Sequence, residues 1–356
     1  MVRVTATGPG QNESVTDRIL SRRQLNRALL ARQLLLERSN LSIEQAVEQV
    51  GGLQTQYAPS GYVALWTRLA GFRRDDLTAA LEDRTIIQAT LMRTTIHMVS
   101  RREFWAYALG VREARRMWAL RIPDRGDEAV SAAAAARTRA ALADGPKTVK
   151  ELDGVVSGFL GNAGLWVDLV RVPPSGTWER RRADRLGLAE TWVGPEDATE
   201  DEGLGRLVRA YLRGFGPAAW KDMAAWAGVP VTALRRGGDA VGLVRYRDED
   251  GRELIDLPGA PLPDEDTLAP VRFLPHWEAT LLVHARRTGI LPEEHRPKVF
   301  HTRNPFSVGT VLVDGRVVAA WSLRDGRIVL DEYEQLAPND RQAVEEERAA
   351  LEAFHA

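Results

Sequence analysis

Cysteine is absent from the 356 residues of the chain. This absence excludes disulfide bonds, thiolate metal sites and a thiol nucleophile. Long apolar runs are also absent, since the longest, such as residues 131–136, are alanine-rich and far shorter than the roughly 20 residues that span a bilayer. The first 15 residues are polar and contain no apolar segment of the signal-peptide kind. We therefore expect a cytoplasmic protein with no membrane partner and a disordered leader at residues 1–17.

Lysine is scarce, because the 48 basic residues include only Lys147, Lys150, Lys221 and Lys298 as lysines. The remaining basic residues are arginines, and 49 acidic residues bring the formal net charge to −1. A uniformly basic surface is therefore excluded, and the arginine bias by itself also fits the codon usage of a GC-rich genome. Phosphate binding depends on local clusters of charge rather than on the total.

Helical periodicity dominates the first part of the chain and is followed by a β element. Residues 86–99 are rich in β-branched side chains, which predicts a strand or hairpin. Three or four short helices before a β element is the order of a winged helix. The helical spacing of apolar residues covers 21–38, 42–50, 60–70 and 74–82.

The same order recurs twice more. Residues 172–193 predict a second hairpin, residues 218–236 form a helix-turn-helix pattern, and Asp250-Gly251 marks the turn of a third wing. The chain length suggests two or three domains. We predict a mainly α fold with β wings, of the α+β class, with three tandem winged-helix modules and a C-terminal β-hairpin region. The predicted domains are a leader at 1–17, modules at 18–100, 101–195 and 196–262, and a C-terminal loop, β-hairpins and helix at 263–356.

Arginine clusters occur in the predicted wings, at the end of the third recognition helix and before the C-terminal strands. These are positions where a winged helix contacts phosphate. The alternative is a solvated face whose arginines pair with the many carboxylates. We expect DNA contacts from Arg93, Arg180, Arg181, Arg182, Arg235, Arg236, Arg286, Arg287, Lys298 and Arg303.

Signatures of the common enzyme classes are missing from the sequence. There is no nucleophile elbow, no phosphate-binding loop, no metalloprotease helix motif and no dinucleotide fingerprint. The histidines have no zinc-ligand spacing, so we expect neither a metal nor a cofactor. They occupy positions 97, 276, 284, 295, 301 and 355.

Two glutamines remain as candidates for chemistry. Gln54 and Gln56 follow the helix-ending pair Gly51-Gly52. If the segment is extended, both side chains project to the same side, because side chains alternate along a strand. The alternative is a pair of loop amides that satisfy backbone groups.

Six stretches carry a resemblance to a known family: RQLNRALLARQLLLERS at 23–39, GGLQTQ at 51–56, YVALWTRL at 62–69, RTTIHMV at 93–99, FLPHWE at 273–278 and the hairpin at 311–321. Together they resemble the AlkZ-type winged-helix DNA glycosylases over roughly residues 20–335. The combination of motifs is fairly specific, whereas Gln-x-Gln alone is not.

The resemblance implies a monofunctional glycosylase that acts on double-stranded DNA. Its substrates would be bulky N7-alkylguanine adducts or interstrand crosslinks made by a genotoxic natural product, against which the enzyme protects its producer. Catalysis would rest on Gln54 and Gln56. The branch of broader alkylation repair has Gln-x-Asp at these positions, so Gln56 favours the self-resistance branch.

Two positions depart from the family pattern. Thr55 replaces the usual aliphatic residue, and Glu278-Ala279 replaces Asp-Asn. A monomer associated with the nucleoid is expected. A packed histidine in a strand is an equally good interpretation of the one at position 97. The candidates for lining the site are Thr95, His97, Trp277 and Glu278.

Carboxamides do not titrate, so neither glutamine can be a general acid or base. An N7-alkylguanine already carries a positive charge and leaves as a neutral base, which makes a general acid dispensable. Carbonyl oxygens directed at the sugar can stabilise the developing oxocarbenium ion. The alternatives are a general alkylpurine repair glycosylase, a non-catalytic winged-helix transcriptional regulator and a helical interaction protein.

Overall fold

Helices predominate over strands in the computed structural model, which describes residues 15–122, 127–156, 160–282, 289–300 and 307–356. The predicted class, a mainly α fold with small β sheets, is confirmed. The strands of the described residues form one sheet of three, one of four and one of six. No helix in the described part of the chain is long and apolar enough to cross a membrane.

The first segment contains four helices, a two-residue strand and a β-hairpin. Ser42 caps the second helix, and the predicted capping box with Gln45 is present. The first helix ends at Arg32, earlier than its apolar periodicity predicts, and Leu34 has a φ of 56°. The elements are β1 (Val15–Leu20), α1 (Arg22–Arg32), α2 (Ile43–Gln49), β2 (Leu53–Gln54), α3 (Pro59–Trp66), α4 (Arg74–Glu82), β3 (Ile86–Thr90) and β4 (Ile96–Ser100).

The second segment repeats the helices and the hairpin. Its hairpin strands flank the long loop 172–184, and the residues after them form a short helix rather than the strand that was predicted to reach position 193. The elements are α5 (Phe104–Leu120), α6 (Glu128–Ala141), β5 (Lys147–Thr148), α7 (Val149–Val156), α8 (Leu160–Trp166), β6 (Leu169–Arg171), β7 (Arg185–Leu188) and α9 (Ala189–Trp192).

The third segment contains the predicted helix-turn-helix and its wing, in α10 (Glu200–Phe215), α11 (Trp220–Ala227), α12 (Val231–Gly238), β8 (Val244–Asp248) and β9 (Glu253–Asp256). The wing acquires a third strand, because β1 pairs with β8 in parallel. The prediction of a disordered leader at 1–17 is therefore wrong for residues 15–17, which lie in β1. Residues 1–14 lie outside the described residues.

The C-terminal segment contains a four-stranded antiparallel sheet and a long helix. The sheet has the order β10, β11, β12, β13, and tight turns join its last three strands as predicted. Its elements are β10 (Arg272–Leu274), α13 (Ala279–Leu282), α14 (Arg296–Val299), β11 (Gly309–Val313), β12 (Arg316–Arg324), β13 (Arg327–Glu332) and α15 (Pro338–His355).

One order of elements occurs three times among the described residues: a helix, a short extended segment, two helices and a β-hairpin. The extended segment, a two-residue strand in the first two copies and a single bridge residue in the third, pairs with the second hairpin strand. β2 pairs with β4, β5 pairs with β7, and Ala218 forms a bridge with Ile255 in β9. The sequence-based prediction of three helices followed by a hairpin did not include the short strand, and the division into three winged-helix modules stays a prediction. Gln54 lies in the short strand of the first copy.

The first two hairpins join into one sheet, because β3 pairs with β6 to give the order β2, β4, β3, β6, β7, β5. The hydrophobic core is also shared between segments. One buried apolar cluster includes Leu30, Ile87, Tyr107, Tyr211 and Leu312. This cluster crosses the predicted domain boundaries, whereas a separate cluster, from Ala134 to Leu188, lies wholly within the predicted module 101–195. β2 lies at the edge of the joined sheet.

Candidate active site

The strand that contains the first glutamine is positioned by two glycines. Gly51 and Gly52 have φ values of 80° and 85°, a conformation that side chains with a Cβ rarely adopt. A Cβ at Gly52 would lie 3.2 Å from Cγ1 of Val99 in β4. The chain can therefore turn sharply after α2 and enter β2, where Gln54 is paired with His97.

The two glutamine side chains differ in burial. The Gln54 side chain is nearly buried, and its Oε1 accepts a hydrogen bond from Nη2 of Arg93. Gln56 is exposed, and its Oε1 accepts a bond of 3.2 Å from the backbone N–H of Ile96. Guanidinium and backbone N–H groups only donate, so both amides are oriented with their oxygen toward the donor. Each carbonyl keeps a second lone pair for water or substrate.

Thr55, between the glutamines, faces the protein interior and is 1% exposed. Its Oγ1 accepts a bond of 3.1 Å from Nε2 of the buried Gln88. A Cβ added at Gly61 would lie 3.0 Å from its methyl group, so α3 packs directly against it. The departure from an aliphatic residue is thus accommodated, because the methyl is packed and the hydroxyl has a partner.

Arg93 lies in the 3-10 turn between β3 and β4, beside Gln54. Arg93 and Thr94 have φ values of 50° and 60°, and each left-handed residue of this type costs on the order of 1–3 kcal/mol. Nη2 of Arg93 donates to Gln54, and its Nη1 donates to the backbone carbonyl of Trp226 in α11. Burial lowers the pKa of Arg93 to about 10, so the guanidinium is still charged at neutral pH.

His97 is a neutral, buried member of the same cluster. It is 2% exposed, and its Nδ1 donates a hydrogen bond of 3.0 Å to the carbonyl of Thr95. Burial, assisted by the positive charge of Arg93, lowers its pKa to about 3. The packed-histidine interpretation therefore describes this residue, which neither donates nor removes a proton by titration near neutral pH.

The low pKa of His97 predicts how stability depends on pH. Above pH 6.5 the imidazole is neutral in both the folded and the unfolded chain. Below that value the unfolded chain binds a proton that the folded chain excludes, so the free energy of unfolding falls by up to about 1.4 kcal/mol per pH unit. Urea denaturation at pH 7.5, 6.5 and 5.5 measures this slope. The slope should be shallower in His97→Asn, and an unchanged slope would contradict the assignment.

Tyr57 is the residue after the exposed glutamine and contacts His276, although neither was predicted as a site residue. Tyr57 follows Gln56 directly, its hydroxyl accepts a bond of 3.1 Å from Arg181, and its ring contacts His276 edge-on at 5.8 Å. Burial lowers the pKa of His276 to about 4. The adjacency of Tyr57 to the motif, and the place of His276 within FLPHWE, were the signals that could have identified them.

The remaining predicted lining residues lie in different surroundings. Thr95 is half-buried, and its hydroxyl donates to the carbonyl of Met92 at 3.0 Å. Trp277 has a φ of 63°, and its backbone N–H donates to Oγ of Ser307 at 2.6 Å.

Glu278 requires a correction. Its carboxylate accepts a bond of 3.0 Å from the buried Arg68, and the two side chains are 4% and 1% exposed. The backbone N–H of Thr280 donates to the same oxygen. Glu278 therefore belongs to a buried structural ion pair, and its carboxylate is not available to line a site.

The profile of one protein family, DNA glycosylase AlkZ-like, matches residues 47–354. The chain belongs to this family. It is thus a DNA glycosylase, an enzyme of DNA repair. No protein of curated function matches its sequence. Among solved structures, the Streptomyces sahachiroi DNA glycosylase AlkZ is similar, with a TM-score of 0.79 at 20% identity over 94% of this chain and 96% of that one.

The second hairpin of the glycosylase presents a cluster of exposed arginines. Arg180, Arg181, Arg182 and Arg185 line a concavity of about 340 Å³, together with Asp184. Arg182 is paired with Asp184 at 3.2 Å, while Arg181 lies over the ring of Trp178 and donates to Tyr57. The structure therefore places part of this cluster next to the glutamine motif.

The other predicted DNA contacts are dispersed. Arg235 is exposed and lies over Trp220 at 5.4 Å, whereas Arg236 is paired with Glu200 and Asp201 at 2.8 and 2.9 Å. The alternative of a solvated ion-paired face thus describes Arg236. Lys298 is exposed and lies 4.6 Å from the ring centroid of Tyr333. Arg286, Arg287 and Arg303 lie outside the described residues.

The cluster around Gln54 and Gln56 limits the chemistry that the enzyme can perform there. Within the described ranges, no group of three or more metal-ligating side chains occurs. The guanidinium of Arg93 donates to two neutral oxygens, and no ion pair between Arg93 and a carboxylate is present in the described part of the chain. The site therefore offers oriented amide dipoles and a fixed cation, rather than a titrating acid and base.

Proposed function

We propose that this glycosylase hydrolyses the N-glycosidic bond of bulky N7-alkylguanines in double-stranded DNA, including adducts that crosslink the strands. In this proposal the lesion is made by a genotoxic natural product and the enzyme protects its producer. The observation that carries it is the exposed carboxamide of Gln56, just after the strand that contains Gln54, with its oxygen held by the backbone N–H of Ile96.

A site of this composition suits a leaving group that needs no proton. An N7-alkylguanine departs as a neutral base, so the reaction requires only stabilisation of positive charge on the sugar and placement of a water. The free lone pair of the Gln56 carbonyl can accept from the attacking water, and the Gln54 dipole lies beside it in β2. Dipoles that are oriented before the reaction need no reorganisation as the charge develops.

The surroundings support a bulky substrate. Tyr57, the residue after the exposed glutamine, contacts the ring of His276, and Arg181 donates to the tyrosine hydroxyl. Many glycosylases extrude the damaged base into a closed pocket, which a large or crosslinked adduct resists. We infer that the adduct is recognised in an opened groove by these rings and by the arginines of the 172–184 loop. One chain surrounds the duplex as a monomer.

The direct test is base release from a defined lesion. Purified enzyme is incubated with duplex that carries a nitrogen-mustard N7-guanine monoadduct or crosslink, and abasic sites are then cleaved by heat and base. We expect strand cleavage well above the enzyme-free control. A parallel duplex with N7-methylguanine tests the general-repair alternative, which faster release of the small base would favour. If neither bulky lesion is released, the proposal fails.

The arginine loop predicts a strong salt dependence of DNA binding. Removing one arginine that binds a phosphate should reduce the slope of log K against log salt concentration by about 0.9. We expect this reduction for Arg180→Ala, because the side chain is exposed in the loop and no described carboxylate is paired with it. Arg341→Ala is the matched control, since that exposed arginine is paired with Glu332 at 2.8 Å. If the wild type, Arg180→Ala and Arg341→Ala have equal salt slopes, the loop does not contact DNA phosphate and this prediction is wrong.

A further inference from the structure

Arg93 combines two features that are unfavourable for folding. Its backbone and that of Thr94 are left-handed, and its guanidinium is largely buried with no described carboxylate to pair with it. Buried cations are normally paired, and strained backbone persists only where the surroundings determine it. Both features occur at the residue that contacts Gln54, which points to a functional reason for keeping them.

The guanidinium bridges two segments of the chain. One nitrogen donates to Oε1 of Gln54 in β2, and the other donates to the carbonyl of Trp226 in α11. Arginine is suited to this task because its planar fork presents several donors in a fixed geometry. The Gln54 carboxamide is therefore oriented by a group whose own position depends on the third segment.

The helix-turn-helix turn also contacts the backbone of Arg93. Gly228 ends α11 with a φ of 71°, and a Cβ there would lie 3.1 Å from the backbone nitrogen of Arg93 and 3.2 Å from its Cα. The α11–α12 turn is thus packed against the backbone of the β3–β4 turn, at a distance that leaves little room for a Cβ at position 228. A small displacement of the turn must move Arg93.

We propose that Arg93 is a positioning residue for Gln54, and that it transmits the position of the α11–α12 turn to the catalytic strand. This inference rests on the proposed role of Gln54. It differs from our sequence-based expectation that Arg93 contacts DNA phosphate, because two guanidinium nitrogens are already bound to protein oxygens.

A kinetic cycle tests the proposal on the nitrogen-mustard monoadduct duplex. Arg93→Met should slow single-turnover base release by about 100-fold or more, because it releases one oriented group. Arg93→Lys should recover part of the rate. In a Gln54→Ala background, Arg93→Met should have no further effect, since both changes remove the same interaction. If the double variant instead slows base release by the product of the two single effects, Arg93 acts separately from Gln54 and the proposal is overturned.

Two comparisons separate positioning from other roles. A phosphate contact would reduce the salt slope of DNA binding by about 1, whereas a positioning residue leaves that slope unchanged. Arg171→Met is the matched control. Arg171 lies on β6 of the same sheet, burial also lowers its pKa to about 10, and it donates to Thr90 at 3.0 Å. If Arg171→Met slows release as much as Arg93→Met, the effect is merely structural.

A readout without substrate keeps this inference separate from the proposed function. In protein labelled with ¹⁵N-glutamine, the side-chain amide signals of Gln54 are those that disappear in Gln54→Ala. Arg93→Met and Gly228→Ala should both shift these signals, whereas Arg171→Met should not. Unshifted signals in both variants would refute the coupling, even if the wild type releases the adduct. A wild type that releases nothing would refute the function and leave this result standing.

Discussion

Gln54→Ala and Gln56→Ala should each slow release of a bulky N7-alkylguanine by on the order of 100- to 1000-fold, without loss of DNA binding. Each change removes a carboxamide whose oxygen is oriented by a fixed donor, from Arg93 in one case and Ile96 in the other. The measurements are single-turnover base release and fluorescence anisotropy with the same duplex. Retained affinity with a reduced rate identifies the loss as one of transition-state stabilisation.

The control for both variants is Gln342→Ala, which removes an exposed glutamine of α15 that is hydrogen-bonded only locally, to Glu346. It should release the adduct at the wild-type rate. Gln54→Ala also deprives Arg93 of an acceptor, so its melting temperature is measured alongside. Wild-type rates for both site variants would remove the glutamines from catalysis.

Arg32→Met should lower the free energy of unfolding by about 3–5 kcal/mol, because it leaves the carboxylate of Asp256 buried and without its cation. The two side chains are 0% and 1% exposed, and two hydrogen bonds of 2.7 Å join them. Arg32 also donates to the carbonyls of Leu212 and Pro261. Chemical denaturation measures the loss.

Two further variants test this explanation. Arg32→Met combined with Asp256→Leu should recover part of the loss, since no charge then remains buried. Arg341→Met breaks the exposed pair with Glu332 and should lower the free energy of unfolding far less than Arg32→Met does, because solvent screens an exposed ion pair. A loss of similar size for the exposed and the buried pair would contradict the prediction.

Much of the site was predictable from short-range sequence signals. Gly51-Gly52 ends α2, and the alternation after it predicts an extended Gln54-Thr55-Gln56, which the pairing with β4 and the inward-facing Thr55 agree with. Arg93 was also singled out, but as a phosphate contact, and His97 as either a lining residue or a packed strand histidine. The actual surroundings of Arg93 depend on Trp226, more than 100 positions away.

Long-range pairing also explains the errors. The polar first 15 residues predict a disordered leader, whose boundary was placed at residue 17, yet residues 15–17 lie in a strand that pairs with β8. Glu278 belongs to a motif near the site, yet Arg68 holds its carboxylate in the interior. The local sequence around residues 15–17 and Glu278 does not predict that β8 and Arg68 are their partners, because pairing between distant segments leaves no local pattern.

The sequence by itself determined most of the helices and the hairpins, the glutamine motif and, through the family resemblance, the glycosylase class. These follow from spacing, capping and turn chemistry, which act within a few residues. Only the tertiary structure decided that Gln54 is hydrogen-bonded to Arg93, that Thr55 is packed against α3, and that the third segment contacts Arg93. The reason is physical: orientation, burial and the pKa of a side chain are set by the atoms around it, and most of those atoms come from distant parts of the chain.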